Sequence, residues 1–477
     1  MKFPIGFMLA AGLGLSGLAA GASAQTLNET LEAAYRTSPV LAAERARLRQ
    51  ASEGVVQARA ARLPTLSASA GISDGESWGP GSGAGGSGGD VSYSLSASQS
   101  LYSGGSIDAS VDQALNRIEA SRWNVVSTEQ DVILSAIAVH LDVVRDTAIV
   151  DIRRNNVDVL AEQLRAARDR FEVGEITRTD VAQAEARVSG AQAQLSAAQA
   201  TLAASRAGYE RVTGVTPLDV EQPESQPDVP ETLAIAADVA LESNPLLLSA
   251  LFNEQASQAG IRLARSALRP DVALSASASE SRESDFTGRG RGSVTVGARV
   301  SMPIFTGGLN ESRIRQAVAA ADESRLQVLN VRRAVAEGIS NAWNSYLAAE
   351  AVIISSREAV RANEIAFEGV RQEAFVGLRT TLDVLNAEQE LLDARSNRIM
   401  ASASVQLASY ALLEAMGQLT VEALNLGIPT YDVEAYSAGF TRWGGYVSDP
   451  ATRAAPSEQG QRLDRIMNRA PASRQTP

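Results

Sequence analysis

The period of hydrophobic positions changes several times along the chain, and the changes recur in the same order. Between 64 and 105, Val91, Tyr93, Leu95 and Ala97 are separated by Ser92, Ser94, Ser96 and Ser98; between 270 and 306, Val294, Val296, Ala298 and Val300 are separated by Thr295, Gly297 and Arg299. A period of two with one polar face predicts strands. Their partners begin at Pro64 (Leu66, Ala68, Ala70, Ile72) and Pro270 (Val272, Leu274, Ala276, Ala278), so the chain is expected to hold four strands in two pairs. The loops inside the pairs, 74–90 and 282–292, are rich in Gly, Ser and charge, which suits exposed tips. Elsewhere the period is helical. Segments 27–62 and 233–268 precede the strand pairs, and very long helical patterns follow them at 107–171 and 309–375, each closed by a short Gly-containing turn and a shorter helix.

The shorter helices carry a seam with 3-4 spacing: Val181, Ala184, Val188, Ala191, Leu195, Ala198 and Leu202, then Val384, Ala387, Leu391, Ala394, Arg398, Ala401 and Val405. Large residues alternating with Ala let backbones approach closely, as in coiled coils. At 1.5 Å per residue the long helices span on the order of 100 Å. Each is matched in length by the short helix and the N-terminal helical segment of its half, stacked end to end, which predicts a hollow cylinder of paired helices.

The plan is duplicated at a period of about 200 residues. Thr37-Ser38-Pro39 returns as Ser243-Asn244-Pro245, Arg62-Leu63-Pro64 as Leu268-Arg269-Pro270, and Tyr102-Ser103-Gly104-Gly105 as Phe305-Thr306-Gly307-Gly308. Val173-Gly174 with Thr177 and Asp180 returns as Val376-Gly377 with Thr380 and Asp383, and the halves close on Gly214 and Gly417. The expected divisions are a signal peptide (1–24), first-half N-terminal helices (25–63), a strand pair (64–105), and a long helix with its hairpin (106–213). A Pro- and acid-rich linker (214–231) separates these from second-half N-terminal helices (232–269), a second strand pair (270–306) and a second long helix with hairpin (307–417). Residues 418–477 read as an equatorial segment and a disordered tail.

Lys2, an apolar run and Ala22-Ser23-Ala24 form a charged n-region, an h-region and an A-x-A cleavage site, which places the mature chain beyond the inner membrane. Past it every long segment is interrupted by Arg, Glu, Asp or Gln, so no spanning helix is expected and a membrane would have to be crossed as a β-barrel. Four strands cannot close a barrel, which needs about eight, so several copies must share one. Three copies supply about twelve strands, with the Ser-rich faces on a wet lumen and the Val, Leu and Ala faces on lipid. A soluble sandwich is the bland alternative for the strands.

Composition narrows the function. The 477 residues carry a formal charge of −12, which argues against a nucleic-acid partner. There are no cysteines, Lys2 is the sole lysine and His140 the sole histidine, so thiolate, Schiff-base and P-loop chemistry are absent from the inventory and no catalytic or metal site is expected. His140 sits between Val139 and Leu141 and reads as a packed or surface histidine with no activating constellation beside it.

The signal peptide, the duplicated plan, the strand pairs ending in Tyr102-Ser103-Gly104-Gly105 and Phe305-Thr306-Gly307-Gly308, and the run Val376-Gly377-Leu378-Arg379-Thr380-Thr381-Leu382-Asp383-Val384-Leu385-Asn386 together resemble the TolC family of outer-membrane efflux proteins. The resemblance implies an α+β membrane protein: a homotrimeric 12-stranded β-barrel, four strands per chain, set in outer-membrane lipid and continued by a long α-helical coiled-coil tunnel across the periplasm. It implies partners as well, a periplasmic adaptor and an inner-membrane transporter of ABC or RND type, with proteins (type I secretion) or drugs as cargo and no cofactor. Residue by residue, Asp383 matches the aspartate ringing the closed entrance, and Asn386 stands where a second aspartate is usual. Arg379 matches an arginine tying the inner hairpin to its neighbour, with Thr179 and Asp180 as its partners; Ala374 stands where a tyrosine supplies a further tie. Val376, Gly377 and Leu378, with Val173 and Gly174, match tip turns that adaptor hairpins contact. Helix capping by Thr177 and Thr380 accounts for part of the same pattern. A soluble periplasmic coiled-coil scaffold without channel activity is the rival, although it needs neither a signal peptide nor strands at matching positions in both halves.

Overall fold

The computed structural model describes residues 25–75, 88–217, 219–223, 226–283, 290–424 and 426–427. The expected signal peptide, the centres of both strand loops and the expected tail beyond 427 lie outside the described residues; all that is described belongs to one unit ending at Thr430. The elements are α1 Leu27–Thr37, α2 Pro39–Ala60, β1 Thr65–Gly75, β2 Gly88–Tyr102, α3 Ser106–Glu172, α4 Arg178–Thr213, α5 Leu233–Ser243, α6 Pro245–Ser266, β3 Asp271–Glu283, β4 Arg291–Ser301, α7 Leu309–Phe375 and α8 Thr381–Ala415.

Each N-terminal helical segment is broken in two by its Pro. Ser38 caps α2 by accepting from the Leu41 N–H at 3.3 Å, with Pro39 in the first turn where its missing N–H costs nothing. Asn244 does the same for α6, accepting from Leu246 N at 3.0 Å. This break bears on membrane crossing. Contrary to the expectation from sequence, the window Leu233–Ser266 is long and apolar enough to span a bilayer. The backbone turns at Asn244 (φ −65°, ψ 121°), and α6 packs between α3 and α7, so the window is two short helices of the helical wall with a break between them.

The long helices α3 and α7, 67 residues each, pack along α4 and α8 at one end. At the other end α3 packs against α2 and α6, and α7 against α6. The expected seams are where the helices meet: Val188, Ala191 and Leu202 of α4 are buried, as are Leu391, Ala394, Ala401 and Val405 of α8. Between the stacked ends the linker returns to the N-terminus. Gln25 N–H donates to Asp219 O at 2.7 Å, and Glu221 N–H donates to Gln25 O at 3.0 Å. His140, fully buried, is the pin of this junction, with Nε2 2.9 Å from the Glu221 carbonyl and Nδ1 2.9 Å from Thr30 Oγ1, itself 2.9 Å from the Tyr209 hydroxyl. Burial lowers the His140 pKa against the opposing pull of the Glu221 carbonyl, so the ring stays neutral and donates through Nε2. About three turns away on the same face, Glu129 accepts from Val421 N–H at 2.9 Å, and burial raises its pKa.

The four strands form one antiparallel sheet in the order β1-β2-β3-β4, so the two halves pair through β2 and β3. Register aligns serines in rows across the sheet, such as Ser67, Ser96, Ser277 and Thr295, then Ser69, Ser94, Ser279 and Ser293. Ser67–Ser96 and Ser69–Ser94 are hydroxyl pairs at 2.7 Å, and Ser279–Ser293 at 2.9 Å. The opposite face carries rows such as Leu66, Ala97, Ala276 and Val296, with Ile72 and Val294 each 80% exposed. In a sheet this open both edges, β1 and β4, need partners before the backbone can enter lipid.

This gives a direct test of closure. Within one chain β1 and β4 are three strand spacings apart, about 14 Å, beyond the reach of a disulfide. A cysteine at Ser67 combined with cysteines scanned along β4 is therefore expected to give oxidised ladders ending at trimer on non-reducing gels. Monomer at every scanned position would rule out a shared barrel.

Candidate functional site

The two hairpins, α3–α4 and α7–α8, end in turns of the same design. Gly174 and Gly377 adopt φ +79° and +81°, a left-handed conformation that ends a helix without steric penalty only for glycine. Beyond Gly377 the Leu378 N–H returns to Glu373 O at 2.9 Å, and beyond Gly174 the Glu175 N–H returns to Arg170 O at 2.9 Å. Thr177 and Thr380 then start α4 and α8 in capping boxes with Asp180 and Asp383, three residues on. Asp180 accepts from Thr177 N and Oγ1 at 2.9 and 2.8 Å, and Asp383 accepts from Thr380 N and Oγ1 at 3.0 and 2.8 Å. These hydrogen bonds hold both carboxyls below the usual aspartate range. Three such carboxylates brought together in a ring repel one another, which suppresses ionisation; each protomer's own contacts act in the opposite direction.

The expected tie from Arg379 to Thr179 and Asp180 is not made within the chain. Arg379 Nε donates to Glu373 at 2.8 Å, a pairing that raises its pKa. The reason is local: the turn at Gly377 brings Arg379 back over the last turn of α7, while the Asp180 carboxylate is engaged by Thr177. Thr179 is exposed.

What joins the hairpins of the two halves lies farther from the tip. Arg187 Nη2 of α4 donates to Asn386 Oδ1 of α8 at 2.9 Å, and Gln163 Nε2 of α3 donates to Glu388 Oε2 of α8 at 2.8 Å. Both flank a cluster of Leu160, Val188, Ala191 and Leu385, and Arg153 lies 3.7 Å from Asp393 beyond it. Asn386, placed by sequence in the entrance ring, is thus a partner of Arg187. Arg187, Gln163 and Glu388 went unnoticed because nothing in their spacing marks them off from other charged positions on helical faces.

Sequence also missed Phe375, the last residue of α7 and 93% exposed, which with Val376 (67%) and Leu378 (77%) makes an apolar crown on the second tip. On the first tip, Val173 alone has this character at the matching positions, and Gly174 has open space around its Cα.

The model of the family described as "Outer membrane efflux protein" matches residues 20–215 and 236–418, one stretch in each half. The outer membrane efflux protein BepC of Brucella suis is 34% identical over 440 residues, covering 92% of this chain and 95% of its own. The outer membrane protein TolC of Vibrio cholerae is 26% identical over 443 residues, covering 88% and 96%. The crystal structure of the Campylobacter jejuni CmeC outer membrane channel superposes with a TM-score of 0.72 over 92% of this chain and 97% of that one, at 15% identity. With its open four-stranded sheet completed by two further copies into a trimeric barrel, its helical wall extending into the periplasm and a family match across both halves, the chain belongs to the outer membrane efflux protein family of channels.

Proposed function

We propose that the trimer is the outer-membrane exit duct of a tripartite export machine. A periplasmic adaptor grips the tips, an inner-membrane transporter of ABC or RND type supplies energy and selects cargo, and the duct does no chemistry of its own. The observation that carries the reading is the apolar crown of Phe375, Val376 and Leu378 on a capped, glycine-hinged turn. Large apolar side chains displayed on a rigid tip are a suitable anchor for a partner hairpin. Val173 and Gly174 supply the smaller, second contact. Asp383 forms a single acidic ring at the entrance, and the links of Arg187 and Gln163 to α8 hold the hairpins together until the adaptor docks.

The name of the Brucella suis relative favours efflux, while a lumen faced by Ser rows suits an unfolded polypeptide equally well. Deleting the gene and measuring both drug sensitivity and the secreted proteome separates the two cargoes.

Leu378→Glu and Phe375→Glu are each expected to reduce adaptor co-purification at least tenfold and to abolish export, since a charge at the centre of an apolar contact is left unpaired on docking. Trimer yield in the outer membrane should stay at the wild-type level, because neither side chain packs within the chain. Wild-type export in both variants would remove the tip from the docking surface.

A further inference from the structure

On the upper part of the helical wall, α3, α6 and α7 enclose a groove of about 890 Å³, within the range of small-molecule sites. Its floor is made by small residues of α6, and two hydroxyl contacts stitch it: Ser249 Oγ donates to Asn124 Oδ1 at 2.8 Å, and Ser257 and Ser324 are 2.7 Å apart. Val331, Val335 and Ile339 make one side apolar. Three carboxyl groups line it, Asp131 from α3, Glu323 from α7 and Glu414 from the end of α8, and no arginine is among the lining residues.

Two observations indicate that this polar lining lacks an occupant. Gln130, on α3 at the groove, is 2% exposed, and its Nε2 has no hydrogen-bond partner. A buried N–H left unpaired costs on the order of 1–3 kcal/mol, which an acceptor atom in the groove relieves. Glu414 and Asp131 face one another in the lining, an arrangement of two carboxyls that favours holding a proton between them. Burial first, then the charge and hydrogen bond of Asp131, push the Glu414 pKa up to about 7. The proton stands where a ligand's positive charge could stand.

The helical phase of α3 gives the orientation. Glu129 and His140 turn to Val421 and to the linker, whereas Asn124, Ser127 and Asp131 lie on the other side of the helix and face the groove. A linker cannot fill the bore of a conducting tunnel, so it lies outside the wall and the groove opens on the lumen.

We propose that this groove binds an organic cation that carries a hydrogen-bond acceptor on an apolar frame. The cation sits between Glu414, Asp131 and Glu323, the acceptor meets Gln130 Nε2, and the frame lies on the valines of α7. Binding displaces the proton of Glu414 to solvent, leaving its carboxylate paired with the ligand. The site thus gives the tunnel wall a chemical preference of its own, where the export reading alone assigns selection to the transporter. The charged groups facing Glu414 are Asp131 from α3 and Glu323 from α7; the lining residues of α6 carry none.

The test uses the purified full-length trimer in detergent with rhodamine 6G, a cation with an ester acceptor, read by fluorescence anisotropy. Sulforhodamine B, of similar size and negative charge, is the control. Because Glu414 gives up its proton near pH 7, rhodamine 6G should bind about tenfold tighter at pH 8 than at pH 6. Glu414→Gln should remove that pH dependence and weaken binding at pH 8 about tenfold, and Asp131→Asn should weaken it comparably. Gln130→Leu should weaken binding several-fold while leaving the pH slope intact. Equal affinity in the wild type and Glu414→Gln, or equal binding of sulforhodamine B, overturns the proposal. If Glu414→Gln does not assemble, the exposed Glu323→Gln and the wild-type pH slope decide: a flat slope with unchanged affinity in Glu323→Gln also overturns it. Binding is read on the isolated trimer, so its failure leaves adaptor docking untouched, and loss of docking leaves the groove untouched.

Discussion

Replacing Gly417 with alanine is expected to empty the outer membrane of assembled trimer. The residue follows α8 at φ +78°, and a Cβ built there would lie 2.5 Å from Ser243 O and 2.8 Å from Asn244 Cα. Both obstacles are backbone, at the break between α5 and α6, and that break is itself fastened to the end of α8. Ser243 Oγ donates to Met416 O at 2.8 Å, and Asn244 Nδ2 donates to Ala415 O at 3.1 Å. Neither side can withdraw without losing these bonds. The left-handed conformation costs an alanine about 1 kcal/mol, and forced overpacking adds about 1–3 kcal/mol more, in each of three protomers. Gly377→Ala is the internal control: φ is +81° but nothing lies within 4 Å, so only the conformational cost applies and the trimer should assemble. The duplicate position Gly214 falls between them, because a Cβ there meets only the Thr37 side chain at 3.4 Å. Heat-modifiable mobility of membrane extracts ranks the three variants; a wild-type yield of trimer from Gly417→Ala would show that the junction yields more readily than its backbone contacts imply.

The second large effect is expected at the links between hairpins. Arg187→Ala combined with Gln163→Ala removes the two hydrogen bonds from the first hairpin to α8, leaving the cluster around Leu160 and Leu385 and the longer Arg153–Asp393 pair to hold it. The Gln163–Glu388 bond is partly buried and the Arg187–Asn386 bond exposed; together they contribute on the order of 1 kcal/mol per protomer, and three protomers amount to a few kcal/mol. That is enough to move a two-state entrance from almost wholly closed to largely open. Single-channel conductance in planar bilayers should therefore rise several-fold, and intact cells should admit large antibiotics. Asn386→Ala alone should reproduce the Arg187→Ala effect, with little further change in the double variant, because the two residues share one bond. Arg379→Ser should do less, since within the chain it frees only Glu373 of its own hairpin. Conductance at the wild-type value in Arg187→Ala with Gln163→Ala, together with a full opening in Arg379→Ser, would return the gate to the tip and to contacts between protomers.

The contrast between these two arginines shows where sequence stops. Strands, long helices, glycine turns and capping boxes were legible because each depends on side chains within a few positions of one another. Ser92, Ser94 and Ser96 alternate with apolar residues whatever the sheet around them does, and Thr380 finds Asp383 three residues on by helix geometry alone. The duplication extended that legibility to the plan of the whole chain, and the shortage of strands made oligomerisation a matter of backbone hydrogen bonding. Docking decided the rest. That β2 pairs with β3 across the two halves, that Arg187 meets Asn386 199 positions away, and that His140 reaches Glu221 across 81 positions follow from how rigid helices and strands come to rest against one another. The Arg379–Glu373 pair was hidden for the same reason: the charge of Arg379 predicts some carboxylate, but which one it meets within the chain depends on where the turn at Gly377 points the side chain. The groove lies wholly on that side of the division, since Asp131 and Glu414 are unremarkable in their own helices and become a proton-sharing pair only because the end of α8 is packed beside α3.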